Sequence, residues 1–264
     1  QKFLLLFSGC TTAHGQTTVL DSARNGKMNA KSFIVREALT VDLVEQHLKG
    51  ERGIGSIPID EYNKCVFGAL DIDDYNLDLI ALKNKIDRLK LPLVVCRSKS
   101  GGAHCFLFVK EKISAAEMRD KLAEFASALG FGGCEIFPKQ EEVKVERGDV
   151  GNFINLPYQN ADMTLRYCYN EKNEAMDLKQ FLDAIDKNRV KISDLETLKF
   201  SAKREYFKDG PPCLAHIFAD GPTGEERNKT LFQIGVYCRK KFGDEWEPEV
   251  EKQLKELWYL YFFF

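Results

Sequence analysis

The chain has 264 residues, of which 44% are hydrophobic and 30% are charged, and its 38 basic and 40 acidic side chains give a formal net charge of -2 at pH 7. This is the composition of an ordinary globular protein with one or two domains. It excludes a chain-wide positive field that would attract nucleic acid, so a site for a polyanion would have to be a local basic patch.

The eight cysteines stand mostly in apolar runs and never form C-x-x-C, a pattern that predicts reduced, buried cysteines of a cytosolic protein without disulfides. Cys213 and His216 are the one pair at ligand spacing, so we expect no structural zinc. The apolar runs 3–7 and 257–264 are shorter than the ~20 residues of a membrane-spanning helix, so no membrane association is expected. The chain starts at Gln and stops within an aromatic run, which indicates part of a longer polypeptide.

The first strongly patterned stretch is an apolar run that turns acidic at its end, CVFGALDID at 65–73. It predicts a buried strand that carries carboxylates to the edge of a sheet. A second strand, LVVC, follows Pro92, and the turn RSKSGG separates it from a third, AHCFLFV at 103–109. Between the first two strands, apolar residues spaced by three and four predict a helix: Leu79, Leu82, Ile86 and Leu89.

A second helix follows the third strand. Ser114 and Glu117 form a capping box at its start, and Gly130 follows its last apolar position. Two further strands are predicted at 134–137, CEIF, and 151–158, GNFINLPY. The resulting order β-α-β-β-α-β-β predicts an α/β (α+β) fold with a mixed sheet and packed helices.

From about residue 177 the strand patterns stop and helical patterns follow. The polar, basic stretch 199–210 is closed by Gly-Pro-Pro, which is typical of a linker. We therefore predict an α/β domain over 1–198, a linker over 199–210 and a small all-helical C-terminal domain over 211–264 that is incomplete at its end.

A pair of carboxylates marks the end of the first strand. Asp71 and Asp73 stand two apart, so both side chains leave the same face. Carboxylates held side by side repel each other unless a cation lies between them, and oxygen ligands suit Mg²⁺ or Mn²⁺. Glu135, in the apolar run CEIF, would add a third carboxylate if its strand lay beside the first. The alternative is that these acids simply reach solvent at strand ends.

The turn before the third strand concentrates groups that bind phosphate. Arg97, Lys99, Ser100 and two glycine amides precede His104, and this set of cations, hydroxyl and N–H donors suits a triphosphate. A histidine buried for structural reasons beside an ordinary turn is the alternative. The combination near a carboxylate pair favours phosphate binding.

The segments GALDIDDY, SKSGGAH and CEIFPKQ, followed by GNFINLPY, resemble the three motifs of the archaeo-eukaryotic primase superfamily: an acidic pair, an S-x-x-x-H-like turn and a third acid. The chain is similar to the primase-polymerases of bacteriophages and mobile elements over residues 3 to about 190, and its tail resembles the helical segment that follows. The resemblance implies an RRM-like catalytic core over 1–198. It also implies a phage or mobile-element protein in the cytoplasm of a bacterial host.

The resemblance implies a DNA-directed primase-polymerase, a nucleotidyltransferase that makes and extends primers from nucleoside triphosphates and releases pyrophosphate. The implied cofactors are two Mg²⁺ or Mn²⁺ ions, one lowering the pKa of the attacking 3'-hydroxyl and the other stabilising pyrophosphate. The implied partners are single-stranded DNA template and nucleoside triphosphates, and a replicative helicase is a further candidate.

By the same resemblance, Asp71, Asp73 and Glu135 bind the metals and form the catalytic set with His104. Many members of the superfamily have Asp in the third motif, and Glu135 reaches one methylene further. The implied nucleotide-binding residues are Arg97, Lys99, Ser100, His104, Lys139, Asn152 and Asn155. Basic residues in the linker and tail are candidates for template contact: Lys203, Arg204, Arg239 and Lys240.

Two other functions stay open from the residues alone. One is a non-catalytic nucleic-acid-binding replication module on a primase-like fold, although such a module would not need clustered acids that repel phosphate. The other is a metal-dependent phosphodiesterase that uses the same carboxylates, although it would not need a triphosphate-binding turn.

Overall fold

The computed structural model describes residues 1–24, 27–74, 76–197 and 227–247. In this part of the chain the strands are β1 (His14–Arg24), β2 (Lys27–Val35), β3 (Gly53–Ser56), β4 (Lys64–Ile72), β5 (Leu93–Arg97), β6 (Ala103–Ser114), β7 (Glu135–Phe137) and β8 (Ile154–Asn155). The helices are α1 (Lys2–Leu6), α2 (Val41–Leu48), α3 (Leu79–Arg88), α4 (Ala115–Leu129), α5 (Leu178–Asn188), α6 (Ile192–Thr197) and α7 (Arg227–Phe242). Short 3₁₀ turns lie at Val145–Arg147 and Gly243–Glu245.

The strands form two antiparallel four-stranded sheets, with the orders β2-β1-β3-β8 and β5-β6-β4-β7. The α/β class predicted from the sequence is confirmed. The structure differs from the single mixed sheet of the prediction because β1, β2 and β3 form a separate sheet with β8, which lies within the predicted strand 151–158. These three strands escaped the sequence analysis because they are short or alternate weakly, with polar residues such as Gln16, Thr17 and Thr18 in succession.

The second sheet, β5-β6-β4-β7, has two different faces because side chains alternate along each strand. On one face, Phe106 and Phe108 of β6 each lie 5.3 Å from the ring of Phe7, next to α1, and share a core cluster with Ile54 of β3. On the other face β4 lies directly against α4, since a Cβ on Gly68 would be 2.7 Å from Met118. Buried on both faces, this sheet is a rigid support for residues at its edge.

The predicted capping box at the start of α4 is confirmed. The Glu117 carboxylate accepts hydrogen bonds from the Ser114 backbone N–H at 2.9 Å and from its hydroxyl at 2.6 Å. The Glu117 N–H in turn donates to Ser114 Oγ at 3.2 Å. The box anchors α4 at the end of β6 and so keeps the helix on the sheet.

A disulfide joins Cys96 of β5 to Cys168, 72 residues later, so the prediction that all cysteines are reduced is wrong for this pair. Both residues are fully buried, and Cys96 and Cys168 also form an antiparallel bridge. Backbone hydrogen bonds from Arg97 N to Tyr167 O at 3.0 Å and from Tyr169 N to Val95 O at 3.3 Å extend the pairing. We call residues 166–169 the edge segment, because it lies along the outer edge of β5. Sequence spacing could not reveal this pairing because the two cysteines meet only in the folded chain.

The chain divides into two compact units: Gln1–Phe125 with Cys134–Lys199, and Ala126–Gly133 with Phe200–Phe264. The first unit contains both sheets. In the second unit, α7 is the described helix of the predicted helical domain. The predicted linker at 199–210 and the pair Cys213 and His216 lie outside the described residues. No helix in the described part of the chain is both long and apolar enough to cross a membrane.

Candidate active site

The residues of the three sequence motifs form one row across the second sheet. In the antiparallel register, Asp71 of β4 lies opposite His104 of β6 on one side and opposite Glu135 of β7 on the other. Cys96 of β5 continues the row beyond His104. Residues directly opposite each other in a sheet point to the same face, so His104, Asp71 and Glu135 share one face of the sheet.

His104 lies near the start of β6. Its ring is mostly buried, and it meets the ring of Phe106 edge-on at 5.8 Å between centroids. Its Nε2 lies 3.3 Å from Asp71 Oδ1. Asp71 Oδ1 is itself buried and accepts no hydrogen bond within the described residues, so its contact with His104 is a close approach that lacks hydrogen-bond geometry. The buried carboxylate oxygen is therefore left with free capacity to bind a cation.

Asp73 follows directly after β4 and is exposed to solvent. Its pKa is raised above the ordinary value by partial burial, and the negative charges of Asp71 and Glu135 raise it further. His104 and Lys139 act in the opposite direction. The three acids are thus close enough to repel one another, as the sequence predicted for a cation site.

Glu135 has a partner of its own. Lys139 Nζ lies 2.7 Å from Glu135 Oε2 and also lies over the ring of Phe137, 5.1 Å from its centroid. The loop that carries Lys139 is held by α4, since Arg119 donates hydrogen bonds to the carbonyls of Pro138 at 2.7 Å and Lys139 at 2.8 Å. We call Asp71, Asp73 and Glu135 the acidic row. Lys139 is therefore held beside this row.

The acidic row has the donor chemistry of a divalent cation site. Asp71, Asp73 and Glu135 offer carboxylate oxygens, the ligands that Mg²⁺ and Mn²⁺ prefer. The orphaned oxygen of Asp71 and the raised pKa of Asp73 agree with this fit. Within the described residues, however, no three His, Cys, Asp or Glu side chains are arranged to hold an ion. Glu135 Oε2 is turned to Lys139, so this ion pair competes with a metal ion for the carboxylate.

The turn between β5 and β6 is tightly built. Ser98 N donates to Gly102 O at 2.8 Å, and the hydroxyls of Ser98 and Ser100 lie 3.2 Å apart. Gly101 has φ +103°, which favours glycine, and a Cβ on Gly102 would lie 2.1 Å from the carbonyl oxygen of Ile72. The turn therefore lies against the end of β4, close to the acidic row.

The cations of this turn are only partly exposed. Arg97 Nη1 donates to the carbonyl of Leu165 at 3.4 Å, which ties its guanidinium to the residues before the edge segment. Burial lowers the pKa of Lys99, and the positive charge of Arg166 lowers it further. Neither Arg97 nor Lys99 forms an ion pair with an acid in the described residues, so both are available to an anion.

The two asparagines of the predicted nucleotide site use their side-chain oxygens internally. Asn152 Oδ1 accepts a hydrogen bond from Gln140, and Asn155 Oδ1 accepts one from Thr17 at 2.9 Å. These bonds tie the loop after β7 to the residues before β8, and β8 to β1. Each oxygen has one further lone pair, and the side-chain N–H groups of Asn152 and Asn155 are donors that a ligand could use.

The candidate template residues are only partly described. Lys203 and Arg204 lie outside the described residues. Arg239 and Lys240 are exposed in the last turn of α7, which belongs to the second unit. Template contact by these residues stays a prediction.

Sequence reasoning missed Arg166, which stands in the edge segment and not in any of the three motifs. Its Nη1 is buried without a hydrogen-bond partner in the described residues. A lone arginine between Leu165 and Tyr167 carries no sequence signal of its own, and the strand pairing alone brings it to the turn.

Comparison with known proteins agrees with the motifs. Residues 12–195 match the family model described as "TOTE conflict system, Archaeo-Eukaryotic Primase domain". Among solved structures, the AEP domain of the cyanophage S-2L primase-polymerase (PrimPol) is 15% identical, with 68% of this chain and 92% of that chain covered and a TM-score of 0.36. A search of curated proteins finds no match. Because the family model spans more than half of the chain, the protein belongs to the archaeo-eukaryotic primase domain family of TOTE conflict systems.

Proposed function

We propose that the protein is a DNA primase-polymerase that makes and extends primers on single-stranded DNA from nucleoside triphosphates. The observation that carries the proposal is the register of the second sheet, which aligns His104, Asp71 and Glu135 on one face. The turn with Arg97 and Lys99 lies at the end of the same strands. Carboxylates beside a cationic turn are the two halves of a site for a metal-bound triphosphate.

In the proposed reaction, the 3'-hydroxyl of a primer strand or first nucleotide attacks the α-phosphorus of the incoming nucleoside triphosphate. The new P–O bond forms as the bond to the β-phosphate breaks, and pyrophosphate leaves with the electron pair. Two Mg²⁺ or Mn²⁺ ions held by Asp71, Asp73 and Glu135 would supply a lowered pKa at the hydroxyl and charge stabilisation at the leaving group.

The side chains around the acids position the nucleotide. We expect His104, which meets the ring of Phe106 edge-on, to donate a hydrogen bond to a phosphate oxygen. Ser100 and the amides of the turn offer further donors, while Arg97, Lys99 and Lys139 neutralise the triphosphate. These groups act by positioning and by electrostatic stabilisation, and none of them forms a covalent bond to the substrate.

The first experiment incubates the purified chain with single-stranded DNA, labelled nucleotides and Mg²⁺ or Mn²⁺, and resolves the products on a gel. The double variant Asp71→Asn/Asp73→Asn keeps the side-chain shapes and removes the charges, so we expect at least about a hundredfold loss of product. The matched control is Asp183→Asn/Asp186→Asn, which removes two acids that pair with Lys2. This control is expected to keep full activity.

Two results would count against the proposal. Product formation that survives the loss of both Asp71 and Asp73 would place the chemistry elsewhere. If the unaltered chain makes no product but binds single-stranded DNA, the chain is a non-catalytic binding module on a primase-like fold. Nucleotides and metals can be varied in the same assay, which also shows whether ribose or deoxyribose is accepted.

A further inference from the structure

Arg166 is a charged residue without a partner in the described part of the chain. Its Nη1 is buried and makes no hydrogen bond there, and no acid pairs with its guanidinium. The backbone around it is well held, since its N–H donates to Thr164 Oγ1 at 3.0 Å and its carbonyl accepts from Tyr158 N at 3.0 Å. Burial of one guanidinium nitrogen without a hydrogen-bond partner is costly, so the position of Nη1 calls for an explanation.

The edge segment places Arg166 at the phosphate-binding turn. Cys96 lies opposite Cys168, and Arg97 N bonds to Tyr167 O, so the register puts Arg166 opposite Ser98. Side chains two residues apart in a strand share a face. Arg166 therefore belongs to the face of Cys168 and Cys96, which is also the face of His104 in the row across the sheet.

Its electrostatic neighbours show the same proximity. The positive charge of Arg166 helps to lower the pKa of Lys99 in the turn, after burial as the larger cause. Burial lowers the pKa of Arg166 itself to about 10. Arg97, one residue before Ser98, donates to the carbonyl of Leu165, the residue before Arg166. Three cations thus meet at one turn with no acid paired to them in the described residues.

We propose that Arg166 binds the triphosphate of the incoming nucleotide together with Lys99 and Arg97. The proposal rests on the proposed function for the identity of the anion, since a triphosphate is the substrate group that such a site would receive. The anion supplies the missing partner of Arg166 Nη1, because a guanidinium binds phosphate oxygens through charge-assisted hydrogen bonds. The edge segment, clamped to β5 by the Cys96–Cys168 disulfide, then acts as one wall of the site.

The test measures binding of inorganic tripolyphosphate by titration calorimetry in the presence of EDTA, so that neither catalysis nor the metal site contributes. We expect Arg166→Met to weaken binding by about ten- to a hundredfold, the loss of one or two charge-assisted hydrogen bonds. Arg166→Lys restores the charge without the fork of donors, so its affinity is expected between those of the unaltered chain and Arg166→Met.

The matched control is Arg189→Met. Arg189 also has a buried nitrogen, Nε, without a partner in the described residues, but it follows α5 and precedes Val190, whose N–H donates to Phe108 O in the middle of β6. This variant is expected to bind tripolyphosphate as the unaltered chain does. Thermal unfolding without ligand supplies the second measurement. If Arg166 serves a ligand, Arg166→Met keeps or raises the midpoint, because the variant removes an uncompensated buried charge.

The proposal would be overturned if Arg166→Met bound tripolyphosphate with an affinity within about twofold of that of the unaltered chain. Such a change is far smaller than the change expected from the loss of one charge-assisted hydrogen bond. A lower unfolding midpoint in Arg166→Met together with an affinity that Arg166→Lys does not restore would also overturn the proposal, because this is the behaviour of a structural residue. The proposed function fails separately. If no primer is made while tripolyphosphate binding still depends on Arg166, the polymerase proposal is wrong and the anion site stands.

Discussion

Glu135 forms an ion pair with Lys139 at 2.7 Å, and in the proposed metal site it is also the third carboxylate ligand. Because the pair is partly exposed, we expect it to be worth about 0.2–1 kcal/mol. Lys139→Met should therefore tighten Mn²⁺ binding in the absence of nucleotide by about two- to fivefold, since Glu135 is released to the ion. The same variant should raise KM for the nucleotide, because one triphosphate cation is lost. Mn²⁺ titration and primer-extension kinetics measure the two effects.

The control for Lys139 is Lys121→Met, which removes the cation of a comparable pair with Glu124 at 2.9 Å on α4. This variant should change neither Mn²⁺ affinity nor KM. Unchanged Mn²⁺ affinity in Lys139→Met would mean that the ion pair does not compete with the metal for Glu135.

His47 is a second residue whose state follows from its contacts. Nδ1 accepts a hydrogen bond from Ile54 N at 3.1 Å, so Nε2 carries the proton and donates to Pro157 O at 2.8 Å. Burial lowers its pKa from 6.5 to about 4. The unfolded chain therefore takes up the proton first as the pH falls. Above pH 6.5 His47 is neutral in both the folded and the unfolded chain, so it has no effect on the free energy of unfolding. As the pH falls from 6.5 to 4, its protonation in the unfolded chain lowers the free energy of unfolding progressively, by about 3 kcal/mol in total.

Chemical denaturation of the unaltered chain and of His47→Gln at several pH values measures this contribution. Glutamine can both accept and donate a hydrogen bond but does not titrate in this range, so the difference between the two pH profiles isolates His47. If the free energies of unfolding of the two proteins change in parallel from pH 7 to 4, protonation of His47 does not destabilise the folded chain.

At the scale of elements, the Cys96–Cys168 disulfide and the pairing of β4 with β6 and β7 decide the geometry of the site. The Cys96–Cys168 bond closes a loop of 72 residues and clamps the edge segment to β5. Loop-closure entropy predicts that Cys96→Ala/Cys168→Ala lowers the free energy of unfolding by about 4 kcal/mol. Equilibrium unfolding measures this, and a reductant should lower the stability of the unaltered chain to that of the variant. A chain whose stability is indifferent to reductant would have no disulfide in solution.

Sequence patterns located the elements of the second sheet well, because apolar runs, the break RSKSGG and the capping box Ser114–Glu117 are local signals. They did not reveal β1, β2 and β3 of the first sheet, where glycines such as Gly15 and Gly55 and polar residues such as Thr17 hide the alternation. Nor did they reveal the edge segment, which pairs with β5 over only a few residues. Short pairings between distant parts of a chain carry little local pattern.

At the scale of the whole molecule, every described residue of the proposed metal and nucleotide site belongs to the first unit, Gln1–Phe125 with Cys134–Lys199, and the family match ends at residue 195. We therefore expect a chain that stops at Asp209 to extend an annealed primer within about threefold of the full chain, since a unit with its own core can fold alone. We expect the same truncation to lose primer synthesis without a pre-existing 3' end, if the helical tail serves initiation.

Hydrogen exchange in β4 and β6 is the folding control for the truncated chain, because α4 begins in the first unit and ends in the second. Protected strands with no primer extension would show that the tail is needed for the chemistry itself. Protected strands with full synthesis from single nucleotides would show that the first unit contains the whole activity.

The sequence by itself determined the family and the identity of the motif residues, because Asp71, Asp73, His104 and Glu135 stand in short local patterns. Only the tertiary structure decided how they meet. The antiparallel register aligns Asp71 with residues 33 and 64 positions later in one row, Lys139 turns to Glu135, and the edge segment brings Arg166 to the turn. Such contacts depend on strand order and burial, which arise from the packing of the whole core and not from any local stretch of chain.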